Sequence, residues 1–219
     1  MGQEVKEMYN IRSYVVGLVQ ENCYFISNKN KETLIIDPGD QGQALVKELR
    51  KNNLKPVAIL LTHAHFDHIG AVDDIREAFN IPLYVHEKEA AWLQNPALNG
   101  SGKYREIPAV TVNEADVLLS KEGNLTVGPF SFDVRHTPGH SPGSVSYVFE
   151  QQGFAIVGDT LFKGSIGRTD LIEGNMNVLV QAIDKHLLSL DEDTLIYPGH
   201  GEPTTVFEEM ENNPFLNGF

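Results

Sequence analysis

Cysteine is almost missing from this chain: Cys23 stands alone among 219 residues. It can close no internal disulfide, so a core must hold the fold, and the reducing cytoplasm is the expected compartment. Positive charge is also short, with 17 Lys and Arg against 30 Asp and Glu, a formal charge of −13 and a pI near 5.0. Phosphate binding needs a basic face, so nucleic acid and anionic membrane are excluded as natural partners. No apolar run approaches the ~20 residues that span a bilayer. The opening M-G-Q-E-V-K-E-M-Y lacks the basic-then-apolar order of an export signal. Tandem repeats, low-complexity tracts and a clear linker are absent as well, so residues 1–219 read as one domain, large enough to bury a core without staples.

Histidine is scarce too, yet three of the eight fall within six positions. The apolar run Val57 to Leu61 has the length of a strand buried on both faces, and it ends in His63, His65, Asp67 and His68. Ligand sites of α/β proteins lie beyond the carboxyl ends of such strands. Imidazole and carboxylate are the ligands borderline divalent cations prefer, so the cluster reads as a metal site rather than a His-rich loop. Three further segments repeat the order of strand, Gly or Pro, then ligand. They are H-T-P-G-H-S-P-G with His140, G-D-T with Asp159, and Y-P-G-H-G with His200. Seven groups exceed the needs of one tetrahedral ion. They divide into His63, His65 and His140 for one ion and Asp67, His68 and His200 for a second, with Asp159 able to bridge. Such a pair sits roughly 3.5–4 Å apart and activates water between them. Zinc is the first choice, and iron or manganese accept the same ligands.

The remaining pattern builds a frame around these segments. Residues 9–37 read as an antiparallel meander stopped by Asp37-Pro38-Gly39. Helices are expected over 41–52, from Ile69 to Phe79, over Glu87–Leu93, Asn175–Leu190 and Pro203–Met210. Strands are expected at Pro82–His86, across 116–158 with a turn at Glu150–Gly153, and at Thr194–Tyr197. Residues 94–108 form a long loop, either a functional flap or a solvated segment, whose Lys103, Tyr104 and Arg105 could meet an anion. His86, His136 and His186 read as structural, Trp92 as core or rim, and Lys163 as solvated. Two strand-rich halves, each followed by helices, point to two sheets packed face to face with helices outside.

The motifs T-H-A-H-F-D-H, T-P-G-H-S-P-G-S, G-D-T-L-F and Y-P-G-H-G resemble those of the metallo-β-lactamase superfamily, from about Val15 to Thr205. The resemblance implies an α/β fold, an αββα sandwich of two mixed sheets flanked by helices, with the metals at one edge. G-D-T-L-F-K-G-S-I-G-R-T-D-L looks most like short bacterial glyoxalase II, the hydroxyacylglutathione hydrolases. That likeness implies the same two ligand trios, Asp159 as the bridge, and Arg168 against the glycine carboxylate of glutathione. Two departures stand out: the chain stops before the helical domain of the long family members, and Asp170 occupies the place of an expected tyrosine. The implied reaction is hydrolysis of a small-molecule thioester, with Asp67 and Asp159 orienting the nucleophile. A thiol of pKa about 8.5 leaves without a general acid. A persulfide dioxygenase with one iron, a lactonase, and a metal-stabilised binding module are the other readings.

Overall fold

Residues 9–103 and 108–216 are described by the structure, a computed structural model. One sheet holds β1 (Asn10–Val16), β2 (Glu21–Ser27), β3 (Glu32–Ile36), β4 (Lys55–Leu60), β5 (Leu83–His86) and β6 (Val117–Leu119) in that spatial order. Pairing is antiparallel through β3 and parallel from β3 to β6. A second sheet is built from β7 (Gly123–Val127), β8 (Phe130–His136), β9 (Val145–Phe149), β10 (Phe154–Gly158), β13 (Leu195–Pro198) and β14 (Thr204–Thr205). Its spatial order is β14-β13-β10-β9-β8-β7, with β10 and β13 parallel and the other pairs antiparallel. Both sheets are therefore mixed, as the resemblance implied.

The two-residue period of a strand sorts side chains between layers. On β2 to β4, Tyr24, Ile26, Leu34, Ile36, Ala58 and Leu60 pack against Phe130, Phe132, Tyr147 and Phe149 of the opposing sheet. The alternate residues Phe25, Ile35 and Ile59 face helices instead. These are α1 (Gly42–Lys51), which buries Leu45, Val46 and Leu49, and α3 (Val72–Phe79), which buries Val72 and Ile75. Each such aliphatic side chain contributes roughly 1.5–3 kcal/mol on burial. Arg50 and Lys51 close the last turn of α1, where cations suit the helix dipole. On the other side α4 (Met176–His186), capped by Asn175 Oδ1 on the Val178 N–H at 3.1 Å, lays Leu179 and Ile183 against Val157 and Ile196.

The structure corrects several sequence-based boundaries. The helix expected from Ile69 to Phe79 is two, α2 (Phe66–Ile69) and α3, because the chain breaks at Gly70-Ala71. The Ala71 N–H instead bonds the Pro38 carbonyl at 2.9 Å. α4 ends at His186 rather than Leu190, and Met176, expected on its apolar stripe, is exposed. The last helix, α5 (Val206–Asn212), starts later than expected because Thr204 and Thr205 pair with β13. A short hairpin of β11 (Leu161–Phe162) and β12 (Ser165–Ile166) went unforeseen; two-residue strands carry no periodic signal.

Candidate metal centre

All seven residues expected as ligands meet at one edge of the sandwich. His63 and His65 follow β4, Asp67 and His68 lie on α2, His140 follows β8, Asp159 follows β10 and His200 follows β13. Potential ligand atoms of His63, His65 and His140 lie within 4.8 Å of one another, and so do those of Asp67, His68 and His200. Asp159 stands between the trios, with Oδ1 3.5 Å from His68 Nε2 and Oδ2 3.6 Å from His140 Nε2 and 3.5 Å from His200 Nε2.

The donor set fits divalent cations on three observations. His63 Nε2, His68 Nε2 and Asp159 Oδ1 are buried and lack a hydrogen-bond partner, a costly state for polar atoms unless an ion takes them up. His65 Nδ1 and His140 Nε2 point at each other across 2.9 Å. The neutral three-histidine trio and the ionised carboxylates are the forms that ligands require, while His68 and His200 would each give up a proton to a bound ion. Burial holds His63 well below its ordinary pKa, brings His65 down to about 3 with help from His140, and lowers His140, so this trio is neutral imidazole. Burial works against the ionised forms of Asp67 and Asp159, but His68 and His200 together, with His140 as well for Asp159, outweigh it and both carboxyls stay below the ordinary range. For His68 and His200, burial is outweighed by neighbouring carboxylates, and both pKa values are raised.

Residues outside the motifs hold these groups, and sequence reading missed them. Asp37 accepts the Thr62 N–H at 2.7 Å, the Thr62 hydroxyl at 2.5 Å and His68 Nδ1 at 3.0 Å, which fixes His68 with Nε2 toward the centre. A related signal was present: D-P-G closes an apolar strand with a carboxylate beside Pro and Gly, although here the carboxylate comes first. Glu21, read as turn chemistry, is buried with Oε1 3.8 Å from His68 Nδ1. Tyr147 of β9 donates to the Leu61 carbonyl and Tyr24 of β2 to the Pro198 carbonyl, both at 2.6 Å. The sheets are thus tied reciprocally, each just before a ligand segment. Glycine makes the final approach possible: a Cβ on Gly199 would stand 2.2 Å from Asp159 Oδ1.

Arg168 contributes in two ways. Its carbonyl accepts from His140 Nδ1 at 2.7 Å, turning Nε2 inward, while its guanidinium is held by Asp170 through bonds of 2.7 and 2.8 Å. Residues 94–103 fold over the site: the Asn99 carbonyl takes the Phe66 N–H, and Asn99 Nδ2 bonds the Trp92 and Val110 carbonyls. Lys103 lines the cavity there, whereas Tyr104 and Arg105 lie outside the described residues. His86 and His136 stack at 4.6 Å away from the centre, and His186 meets Glu122 at 3.5 Å. Trp92 is buried against His65, and Lys163 is exposed, as expected, where it pairs with Glu202.

Histidines and aspartates gathered at the strand ends of an αββα sandwich define a metallo-hydrolase. The chain belongs to the Metallo-beta-lactamase superfamily, whose Lactamase_B family matches residues 16–200. It is 50% identical over 208 residues to the Probable metallo-hydrolase YqgX of Bacillus subtilis (strain 168), covering 95% of this chain and 98% of that one. Hydroxyacylglutathione hydrolase GloC of Haemophilus influenzae is 33% identical over 209 residues, covering 95% and 98%. Among solved structures, the BLEG-1 B3 metallo-beta-lactamase superposes with a TM-score of 0.93 at 49% identity, covering 95% of this chain and all (100%) of that one. TTHA1623 in a di-iron-bound form gives 0.80 at 35% identity, covering 94% and 100%. Among the described residues no helix is long and apolar enough to cross a membrane.

Proposed function

We propose that this metallo-hydrolase cleaves a thioester carried on a small anionic thiol, in the manner of a hydroxyacylglutathione hydrolase. The observation that carries this reading is the cavity of about 590 Å³ above the cluster. His65, Asp67, His140, Asp159 and His200 line it together with apolar Val19, Phe66, Phe162, Ile166 and Leu171, while Lys103 and Arg168 bring positive charge. His63, His65 and His140 would hold one ion, Asp67, His68 and His200 the other, and Asp159 would serve both. Two divalent ions there, zinc first with iron or manganese as alternatives, supply a hydroxide at neutral pH and counter-charge for the developing oxyanion.

The chain's own groups do the rest. Asp67 and Asp159, kept ionised, orient the nucleophile toward the acyl carbon. Lys103 and Arg168 attract the carboxylate of the carrier, and Asp170 tempers Arg168 so that the product can leave. The apolar lining keeps bulk water from the acyl group. A thiol of pKa about 8.5 departs without a general acid, which is why a thioester suits this pocket better than an amide. The likeness to GloC supports this substrate class, and the likeness to BLEG-1 favours β-lactam cleavage as the second reading. Cytoplasm is the proposed compartment, since the single cysteine is buried and free.

The test is a parallel assay of the full chain at known metal content, following thiol release from S-lactoylglutathione, ring opening of a chromogenic cephalosporin, and oxygen uptake with glutathione persulfide. Thiol release lost in His65→Ala and Asp159→Ala supports the proposal. Ring opening or oxygen uptake without thiol release replaces it with the β-lactamase or the dioxygenase reading.

A further inference from the structure

Glu89 lies outside every ligand motif yet joins two of them. It is fully buried on the 3-10 turn Glu87–Trp92 that follows β5. Its Oε2 accepts the N–H of Ala64, the residue between His63 and His65, at 2.5 Å. Its Oε1 accepts the Ser141 hydroxyl at 2.5 Å and the Gly143 N–H at 2.7 Å, both just past His140. The His63 and His65 loop leaves the first sheet and the His140 loop leaves the second, so one carboxylate spans the gap between sheets behind this trio. The fit has no slack, because a Cβ on Gly143 would fall 2.9 Å from Glu89 Cγ. The other trio takes its orienting bonds elsewhere: His68 from Asp37, and His200 from the Val19 carbonyl at 3.2 Å.

We propose that Glu89 is a positioning residue for the His63, His65 and His140 trio: by tying their two loops together it sets the affinity for the ion held there and leaves the Asp67, His68 and His200 trio unaffected. The proposal rests on the reading that each trio holds an ion. Three imidazoles on two loops bind an ion tightly only if the loops are already in place, and a fixed acceptor for the Ala64 and Gly143 N–H groups supplies that order. Glu89→Gln is the sharpest perturbation. Each carboxylate oxygen faces a backbone N–H, so wherever the amide NH2 is placed it meets a donor, and one loop is released.

The experiment isolates each trio in the metal-stripped full chain and titrates Co2+ by visible absorption. In a His200→Ala background, which leaves the three-histidine trio intact, Glu89→Gln is expected to weaken Co2+ binding about 10- to 100-fold. In a His140→Ala background, which leaves the other trio, the same substitution is expected to change affinity by no more than about twofold. Equal weakening in both backgrounds would mean that Glu89 merely stabilises the fold, and no weakening in the first would mean it does not position the trio; either result overturns the proposal. If the unsubstituted chain binds fewer than two ions, the reading of the trios falls and takes the proposal with it. Two ions bound with no effect of Glu89→Gln sinks the proposal alone. Should Glu89→Gln lose the wild-type circular dichroism spectrum, Glu89→Asp, which keeps the charge but is too short to reach both loops, goes through the same two titrations with the same criteria.

Discussion

Replacing Tyr147 and Tyr24 by phenylalanine should have unequal costs, although the two hydroxyls look alike. Both rings are buried, both hydroxyls donate at 2.6 Å, and both acceptors are carbonyls of the opposite sheet. The difference lies in what remains afterwards. The Pro198 carbonyl also receives Asn22 Nδ2 at 3.1 Å, so Tyr24→Phe removes one bond and leaves the acceptor satisfied. Among the described residues Tyr147 is the donor found for the Leu61 carbonyl, so Tyr147→Phe takes that partner from a buried carbonyl. Losing a bond whose partner stays satisfied costs about 0.5–1.5 kcal/mol, whereas an orphaned buried acceptor costs about 1–3 kcal/mol. For a chain of this size each kcal/mol moves Tm by about 2–4 °C. Thermal and urea unfolding at one fixed metal excess should therefore place Tyr147→Phe several degrees below Tyr24→Phe. If Tyr24→Phe is equally or more destabilising, satisfaction of the carbonyl is not what these tyrosines supply, and the reasoning fails.

Three other outcomes follow from the same geometry. Burial and then neighbouring His136 bring the His86 pKa from 6.5 to about 4, so the unfolded chain binds the extra proton first as pH falls. Stability from a neutral His86 is complete above pH 6.5 and lost on the way to pH 4; His86 also borders an open cavity, and solvent screening leaves about 1–2 kcal/mol. Denaturant titrations of wild type and His86→Gln should show that difference, and parallel pH profiles would contradict it. Gly199→Ala drives a methyl group into Asp159 and His68 and should weaken metal binding by the Asp67, His68 and His200 trio through about 1–3 kcal/mol of overpacking; unchanged metal stoichiometry under dilute chelator would argue against it. If Arg168 draws in an anionic carrier, Asp170→Asn should lower KM for the thioester by removing a carboxylate charge that competes for the guanidinium, and Arg168→Ala should raise it, with kcat nearly constant in both. A change confined to kcat would place these residues elsewhere in the reaction.

The ligands were legible in the sequence because metal chemistry restricts residue type and strand ends restrict position. His63, His65, Asp67 and His68 sit in one short run, and His140, Asp159 and His200 each follow an apolar strand. The layered fold was legible for a related reason, since two strand-rich halves, each followed by helices, leave apolar sheet faces that have to be covered. Element ends were less so. Nothing local separates Gly70-Ala71 from the helices around it; the break is made by the bond from Ala71 to Pro38, a contact across 33 positions.

What only the tertiary structure decided is the support behind the ligands. Glu89 in E-K-E-A-A-W reads as an ordinary surface glutamate, and its role exists only because β5 ends between two loops that are 52 and 54 positions or 25 positions away in the chain. Arg168 shows the same limit: its type suggested a charge for the substrate, while its fixed bond to His140 is made by the carbonyl that every residue carries. Residue type determines which groups can bind a metal or a proton. Which buried donor is answered by which acceptor is settled by the packing of distant segments, because an unsatisfied group inside the protein is too costly to leave to chance.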